Sequence, residues 1–362
     1  MARVMSPLTM HNIVEGWCVM KQIRLDPGSL LDSKGHLHQS GYATQPVKVY
    51  DRKAIKAGVL RIKEWDYYLV YNNDFGIALT VANNSYMGLI SATFLDFNAQ
   101  TEHTVSPMVL LPLGRVTLPS NSEEGDIRFK NKKVEISFLH EKGGRRLLLN
   151  MPDFENRFPL VADVLLLETM KDSMVIATPF KNAPKAFYYN QKVIGMRAQG
   201  RVTYKNQQYC FDSETAFGIF DWGRGVWTYD NTWYWSAANG VVNGKIFGFN
   251  LGYGFGDTSA ASENMLFYNG AHKLDGIRFN IPVKADGSTD YLKPWRFTST
   301  DKRFEADFIP LLDRSAYTSY GILMSDQHQV FGYFDGKAVL EDGEVIEIKH
   351  LLGFAEKVRN KW

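Results

Sequence analysis

The sequence predicts an all-β protein, built as two tandem barrels or sandwiches packed side by side. Three observations carry that expectation. Turn signals recur every 8 to 12 residues or so along most of the chain, the spacing of all-β sandwiches and barrels. The stretch Ile246–Gly256 alternates strictly, with Phe247, Phe249, Leu251, Tyr253 and Phe255 on one face and Gly248, Asn250, Gly252, Gly254 and Gly256 on the other. Period two is the signature of a strand. No segment sustains a 3.6-residue period over a dozen residues.

Residues 1–50 read as an N-terminal arm, extended over the body with a short strand or two. The turn formers Asp26-Pro-Gly, Ser33-Lys-Gly and the Gly41 to Pro46 stretch punctuate it. Residues 51–182 read as a first β domain. Its hairpin signals are Asn72-Asn, Asn83-Asn, Asn131-Lys and Gly143-Gly, because Asn and Gly reach positive φ cheaply. The apolar run Val164-Leu-Leu-Leu-Glu reads as a buried strand or a short helix, its length favouring the strand. Residues 183–362 read as a second β domain, the division falling near Pro179 to Pro184 with no flexible linker. Lys205-Asn-Gln marks a further hairpin tip, and Ser213 is placed to cap a short turn.

Four of the eight tryptophans fall between positions 222 and 235. Trp222, Trp227, Trp233 and Trp235 are interleaved there with Tyr229, Tyr234, Asp221, Arg224 and Asn239. Cores are built mostly from aliphatics, so indoles mixed with an acid and a base point to a lined pocket. Asp221 lies between Phe220 and Trp222. Apolar surroundings raise a carboxyl pKa and a guanidinium three residues on would lower it again, the making of a tunable acid or base. The competing reading is a structural Asp–Arg pair pinning a loop. Trp227, Tyr229, Trp233 and Trp235 are all odd-numbered and would share one strand face, as pocket wall or as an aromatic mini-core. The glycine face of 246–256 either lies under a crossing segment or borders the cavity. Glu263 and Asn264 follow it, either aimed at the same cavity with Asn250 or capping a hairpin. His272, near a turn, is a ligand-binding candidate or a satisfied structural residue.

The composition bounds the partners. A net charge of +2 over 362 residues gives no electrostatic footprint for nucleic acid. No apolar run approaches the roughly 20 residues of a membrane span, and Met1 to Asn12 has no signal-peptide pattern. A cytoplasmic location is expected, with Cys18 and Cys210 as two free thiols in preference to a single disulfide. His36 and His38 lack a third ligand nearby, so no metal is expected, and no cofactor motif is present. The expected partner is a small, hydrophobic molecule. Nothing in the pattern sets an oligomeric state.

Asp221-Trp-Gly-Arg-Gly, Trp233-Tyr-Trp, Gly248-Phe-Asn-Leu-Gly-Tyr-Gly, Glu263-Asn, His272-Lys-Leu and the closing Gly353 to Trp362 resemble the bacterial family called domain of unknown function 2804. The resemblance covers about Leu30 to Trp362. It implies a lipocalin-like, two-barrel fold, distantly similar to carotenoid hydratases and cofactor-free cyclases. In those an acid in an aromatic cavity protonates an alkene or orients a polyene. Their catalytic positions have no residue-by-residue match here. The functional expectation is therefore binding of a small apolar ligand in the aromatic pocket, with cofactor-free acid–base chemistry of hydratase, isomerase or cyclase type. Asp221, Arg224 and Glu263 would act on it. The alternatives are a carbohydrate-active protein using Asp221 and Glu263 beside aromatic platforms, and a non-catalytic structural protein.

Overall fold

The computed structural model describes residues 21–112 and 116–362. Cys18 lies outside them, while Cys210 is a free, exposed thiol. In chain order the strands of the described residues begin with β1 (Gly28–Ser29), β2 (Gly41–Ala43), β3 (Lys48–Val49), β4 (Ile62–Tyr71), β5 (Phe75–Asn83), β6 (Met87–Asp96), β7 (Thr101–Val105) and β8 (Met108–Leu110). They continue with β9 (Ile127–Lys130), β10 (Glu135–Glu141), β11 (Gly144–Glu155), β12 (Phe158–Leu167), β13 (Met174–Phe180), β14 (Ala183–Tyr204), β15 (Gln207–Phe211) and β16 (Phe217–Val226). The last nine are β17 (Asp230–Val242), β18 (Lys245–Tyr253), β19 (Met265–Phe267), β20 (Ala271–Lys273), β21 (Ile277–Asn280), β22 (Trp295–Ser299), β23 (Phe304–Tyr320), β24 (Leu323–Val339) and β25 (Val345–Lys361).

Two large antiparallel sheets result, the lipocalin-like, all-β architecture that the sequence predicts. The first follows the order β7-β6-β5-β4-β16-β14-β12-β11-β10-β9, with β2, β8, β13 and β15 attached to its sides. The second follows β20-β19-β18-β17-β25-β24-β23-β22-β21. The chain changes sheet between Val226 and Asp230, so residues 183–226 are hydrogen-bonded into the first sheet. That is later than the Pro179 to Pro184 stretch, because Ala183–Tyr204 continues as a single 22-residue strand at the heart of the first sheet.

The Asn-rich turns behave as their chemistry dictates. Asn72 Oδ1 accepts from the backbone of Asp74 and Phe75, and Asn131 Oδ1 from Lys133 and Val134. Lys205 and Asn206 both take positive φ between β14 and β15. At the short turn after Phe211 the capping group is Asp212, not Ser213, since Asp212 Oδ1 takes the Glu214 N–H at 2.9 Å.

Alternation sorts the side chains of the second sheet. Phe247, Phe249 and Leu251 are fully buried with Phe297, Phe304, Phe308 and Phe334 in a core enclosed by that sheet. The opposite face of β17, β18 and β25 lies against the first sheet. Asn239 stitches the two together: its Oδ1 accepts from Gly195 N at 2.7 Å and its N–H bonds the Tyr71 hydroxyl at 2.9 Å.

Candidate functional site

On β16, Asp221 faces Lys192 of β14 and Tyr67 of β4 across the sheet, so the three side chains share one face. That face is turned to the second sheet. The Asp221 carboxylate is buried and takes three donors. Lys192 Nζ is 2.8 Å from Oδ2, Trp65 Nε1 donates to Oδ2 at 3.1 Å and Asn190 Nδ2 to Oδ1 at 2.6 Å. The Lys192 ammonium, itself buried, sits 3.6 Å above the ring of Trp235 on the second sheet.

Trp235 pairs in register with Glu356 of β25, and Glu356 with Gln329 of β24. Glu356 accepts from Trp233 Nε1 at 2.9 Å and from Gln329 Nε2 at 3.1 Å. Trp235 Nε1 donates to Asn250 Oδ1 at 2.7 Å, and Asn250 Nδ2 to the Glu263 carbonyl at 2.8 Å. Glu263 folds its side chain onto the bare Cα of Gly252. The glycine face of β18 therefore serves close approach, taking in Glu263 at Gly252 and Ile194 at Gly248.

Three carboxylates, Asp221, Glu263 and Glu356, are thus buried near Lys192, which is ion-paired to Asp221. Burial pushes Glu263 up to about 7, with Lys192 drawing it down and Asp221 pushing it further up. Burial likewise raises Glu356 to about 7, against the Trp233 hydrogen bond and Lys192. The Tyr188 hydroxyl is driven well above its ordinary range by burial and then by the charges of Glu263, Asp221 and Glu356.

The aromatic residues divide. Trp65 stacks on Tyr188 at 6.1 Å between centroids and meets Trp227 edge-on at 5.4 Å. Trp227 in turn meets Trp233 and Phe255 at 5.7 and 4.8 Å. These rings wall one side of the carboxylate cluster. Trp227 and Tyr229 lie in the crossing between the sheets, so the period-two register does not run through them and only Trp233 and Trp235 share a strand face. Tyr229 is 42% exposed and its hydroxyl bonds the Ile322 carbonyl.

Trp222 lies one residue from Asp221 in an extended strand and so points to the other face, where Tyr50 and Tyr189 meet it edge-on. Arg224, three residues from Asp221, is on that other face too. It pairs with Asp66 at 2.9 Å and bonds the carbonyls of Trp65, Gly223 and Pro119, while its guanidinium lies 4.4 Å over Trp222. Arg224 therefore pairs with Asp66, and the cation paired with Asp221 is Lys192. Asn264 Oδ1 accepts from Gly252 N at 2.7 Å, and its Nδ2 donates to the Asp275 carbonyl at 2.7 Å. Asn239 joins the sheets as above. His272, on edge strand β20, lies 3.1 Å from the Tyr268 carbonyl through Nε2 and accepts from Glu341 N.

The glycines beside Asp221 accommodate indoles. The Trp65 ring lies directly across Gly223, where a Cβ would fall inside it. Gly223→Ala must lift Trp65 and loosen its hydrogen bond to Asp221, a steric insertion expected to cost about 1–3 kcal/mol. Urea unfolding monitored by tryptophan fluorescence reads this directly. An unchanged midpoint would mean that the indole does not depend on Gly223.

Lys192, Asn190, Trp65, Tyr188, Gln329 and Glu356 are members of the cluster that the sequence reading missed. A signal existed: Asn190-Gln-Lys192 is polar in the middle of an apolar strand, and Glu356 interrupts Gly353-Phe-Ala.

The fold has solved counterparts. A crystal structure assigned as AttH from Nitrosomonas europaea superposes with a TM-score of 0.52 at 11% identity, covering 87% of this chain and 98% of that one. Kievitone hydratase from Nectria haematococca superposes with a TM-score of 0.48 at 10% identity, covering 87% and 96%. A search of curated proteins finds no match. The family model described as domain of unknown function DUF2804 matches residues 21–362, and the chain belongs to that family.

Proposed function

We propose that the inter-sheet cluster performs acid–base chemistry on a small, largely apolar molecule, without a cofactor. The observation that carries this reading is the burial of Glu263 and Glu356 near the Lys192–Asp221 ion pair in an indole-walled interface. Burying acids whose charge is not fully matched weakens a fold more than apolar packing would, and strongly shifted acids mark functional sites. Glu263 and Glu356, titrating near pH 7, are suited to give and take a proton at neutral pH, where an unperturbed carboxylate cannot. Asp221 and Asn190 would fix the position of Lys192, and Trp65, Trp227 and Trp233 would line the apolar body of the ligand. The acid–base roles therefore move from an Asp221–Arg224 pair to Glu263 and Glu356, with Asp221 and Lys192 as the charged anchor.

One observation favours a structural role instead. The Lys192–Trp235 contact and the Tyr67–Gln329 hydrogen bond of 3.3 Å both cross between the sheets, so the cluster also cements them. The carbohydrate reading has less support. The Trp235 ring has Lys192 over its face and Tyr67 and Phe354 packed edge to face against it, so it offers no open platform.

Native mass spectrometry of freshly purified protein tests the proposal. The expected result is a co-purified small molecule on the wild type that is lost from Glu263→Gln. Protein at its bare mass in every preparation, or a bound molecule indifferent to Glu263→Gln, favours the structural reading.

A further inference from the structure

Strand β14 presents a second set of polar side chains on the face away from Lys192. Gln191 and Val193 point there, into a cleft of about 670 Å³ formed with Arg145 and the β12–β13 connection. The volume is within the range of small-molecule sites. We infer that this cleft binds a small organic monocarboxylate, whose acid group takes the place of Glu168 on Arg145.

Arg145 is 3% exposed. Its guanidinium lies 4.5 Å over the Phe220 ring, and Nη1 is 3.2 Å from His140 Nε2. Against that fixed cation the carboxylate of Glu168 is held by one hydrogen bond, Nε to Oε1 at 3.1 Å. The two partners differ sharply in setting: the arginine side chain is 4% exposed and the glutamate 42%. A buried guanidinium fork is built for two parallel bonds to a carboxylate. Glu168 uses part of that capacity, and its own carboxylate, 42% exposed, is readily hydrated once another anion takes its place on Arg145. An exogenous carboxylate entering the cleft exchanges one anion for another on Arg145 and leaves no buried charge unpaired.

The remaining walls select the rest of the molecule. Met170 and Val193 supply apolar surface. Gln191 is held in place between Ser173, 2.8 Å from its Nε2, and Ser122, so its amide is a rigid polar edge. Glu123 and Asp172 line the cleft with Lys171. With Glu168 displaced outward, these acids disfavour a dianion such as phosphate. A single carboxylate on a compact apolar body satisfies each wall.

Isothermal titration on the full chain, with benzoate as the probe, tests the assignment. Benzamide serves as the neutral isostere and inorganic phosphate as the dianion. Benzoate is expected to bind in a saturable 1:1 manner, with benzamide and phosphate weaker by about tenfold or more, the value of one charge-assisted pair. Glu168→Gln is expected to strengthen benzoate binding severalfold by removing the internal competitor, and Arg145→Gln to abolish it. Glu168 is on the surface, so its variant decides the matter even if Arg145→Gln does not fold. Benzoate binding no tighter than benzamide, or benzoate affinity unchanged or reduced in Glu168→Gln, overturns the assignment.

Discussion

Lys192→Met is expected to cost about 3–5 kcal/mol of unfolding free energy at pH 8, the price of leaving buried carboxylates without their cation. The loss should shrink markedly at pH 5. Burial already holds Glu263 and Glu356 near 7 in the native state, against an ordinary value of 4.5. Because these native values are raised, the folded protein retains protons that the unfolded chain releases between about 4.5 and 7. Stability therefore falls as pH rises through that window and levels off above it. Without Lys192 the native values climb further, so in the variant the decline extends past pH 7. Below pH 5 both glutamates are protonated in either protein, and the difference narrows. Urea denaturation of wild type and variant at pH 5 and pH 8 measures this. An equal loss at both pH values would show that Lys192 is not electrostatically coupled to the glutamates.

Arg224→Met is expected to be about as damaging, again about 3–5 kcal/mol, but through a different acid. Arg224 is completely buried and its partner is Asp66. Burial pushes the Asp66 carboxyl up while Arg224 draws it back. Removing the guanidinium strands that acid, and Asp66→Asn in the same chain should recover part of the loss. A double-mutant cycle separates the two ion pairs. Coupling of about 1–3 kcal/mol is expected between Arg224 and Asp66, and less than about 0.5 between Arg224 and Asp221. Comparable coupling to Asp221 would restore the pairing that the local sequence suggests.

That contrast shows which parts of the site were legible in the chain. Asp221-Trp-Gly-Arg looks like a self-contained unit when read as a loop. Read as the strand it is, odd separations send side chains to opposite faces, so Asp221 and Arg224 cannot meet. The same rule, applied to Ile246–Gly256, correctly put Phe247, Phe249 and Leu251 in one core. The hairpin turns were readable because Asn and Gly act locally. What escaped was the pairing of distant strands. Trp65 is 156 residues from Asp221 and Glu356 is 123 from Trp233. No local pattern records which strands become neighbours, so the anchoring lysine and the second glutamate emerged only from the register. The point where the chain changes sheet was hidden for a related reason: two prolines mark a plausible break, and strand β14, which begins there, pairs with β12, β13, β15 and β16.

The position of β25 has a consequence for biosynthesis. This strand, residues 345–361, lies between β17 and β24 in the middle of the second sheet. A ribosome delivers it after every other strand described here, when the first sheet can already have formed. Until then β17 has no partner on one side, and the face bearing Lys192 and Asp221 has no completed cover. The nascent chain therefore passes through a stage with an unpaired edge beside exposed indoles, the kind of species that chaperones protect. A message truncated before residue 345 would yield that stage as its end product, with the first sheet's strands present and the second sheet missing its centre.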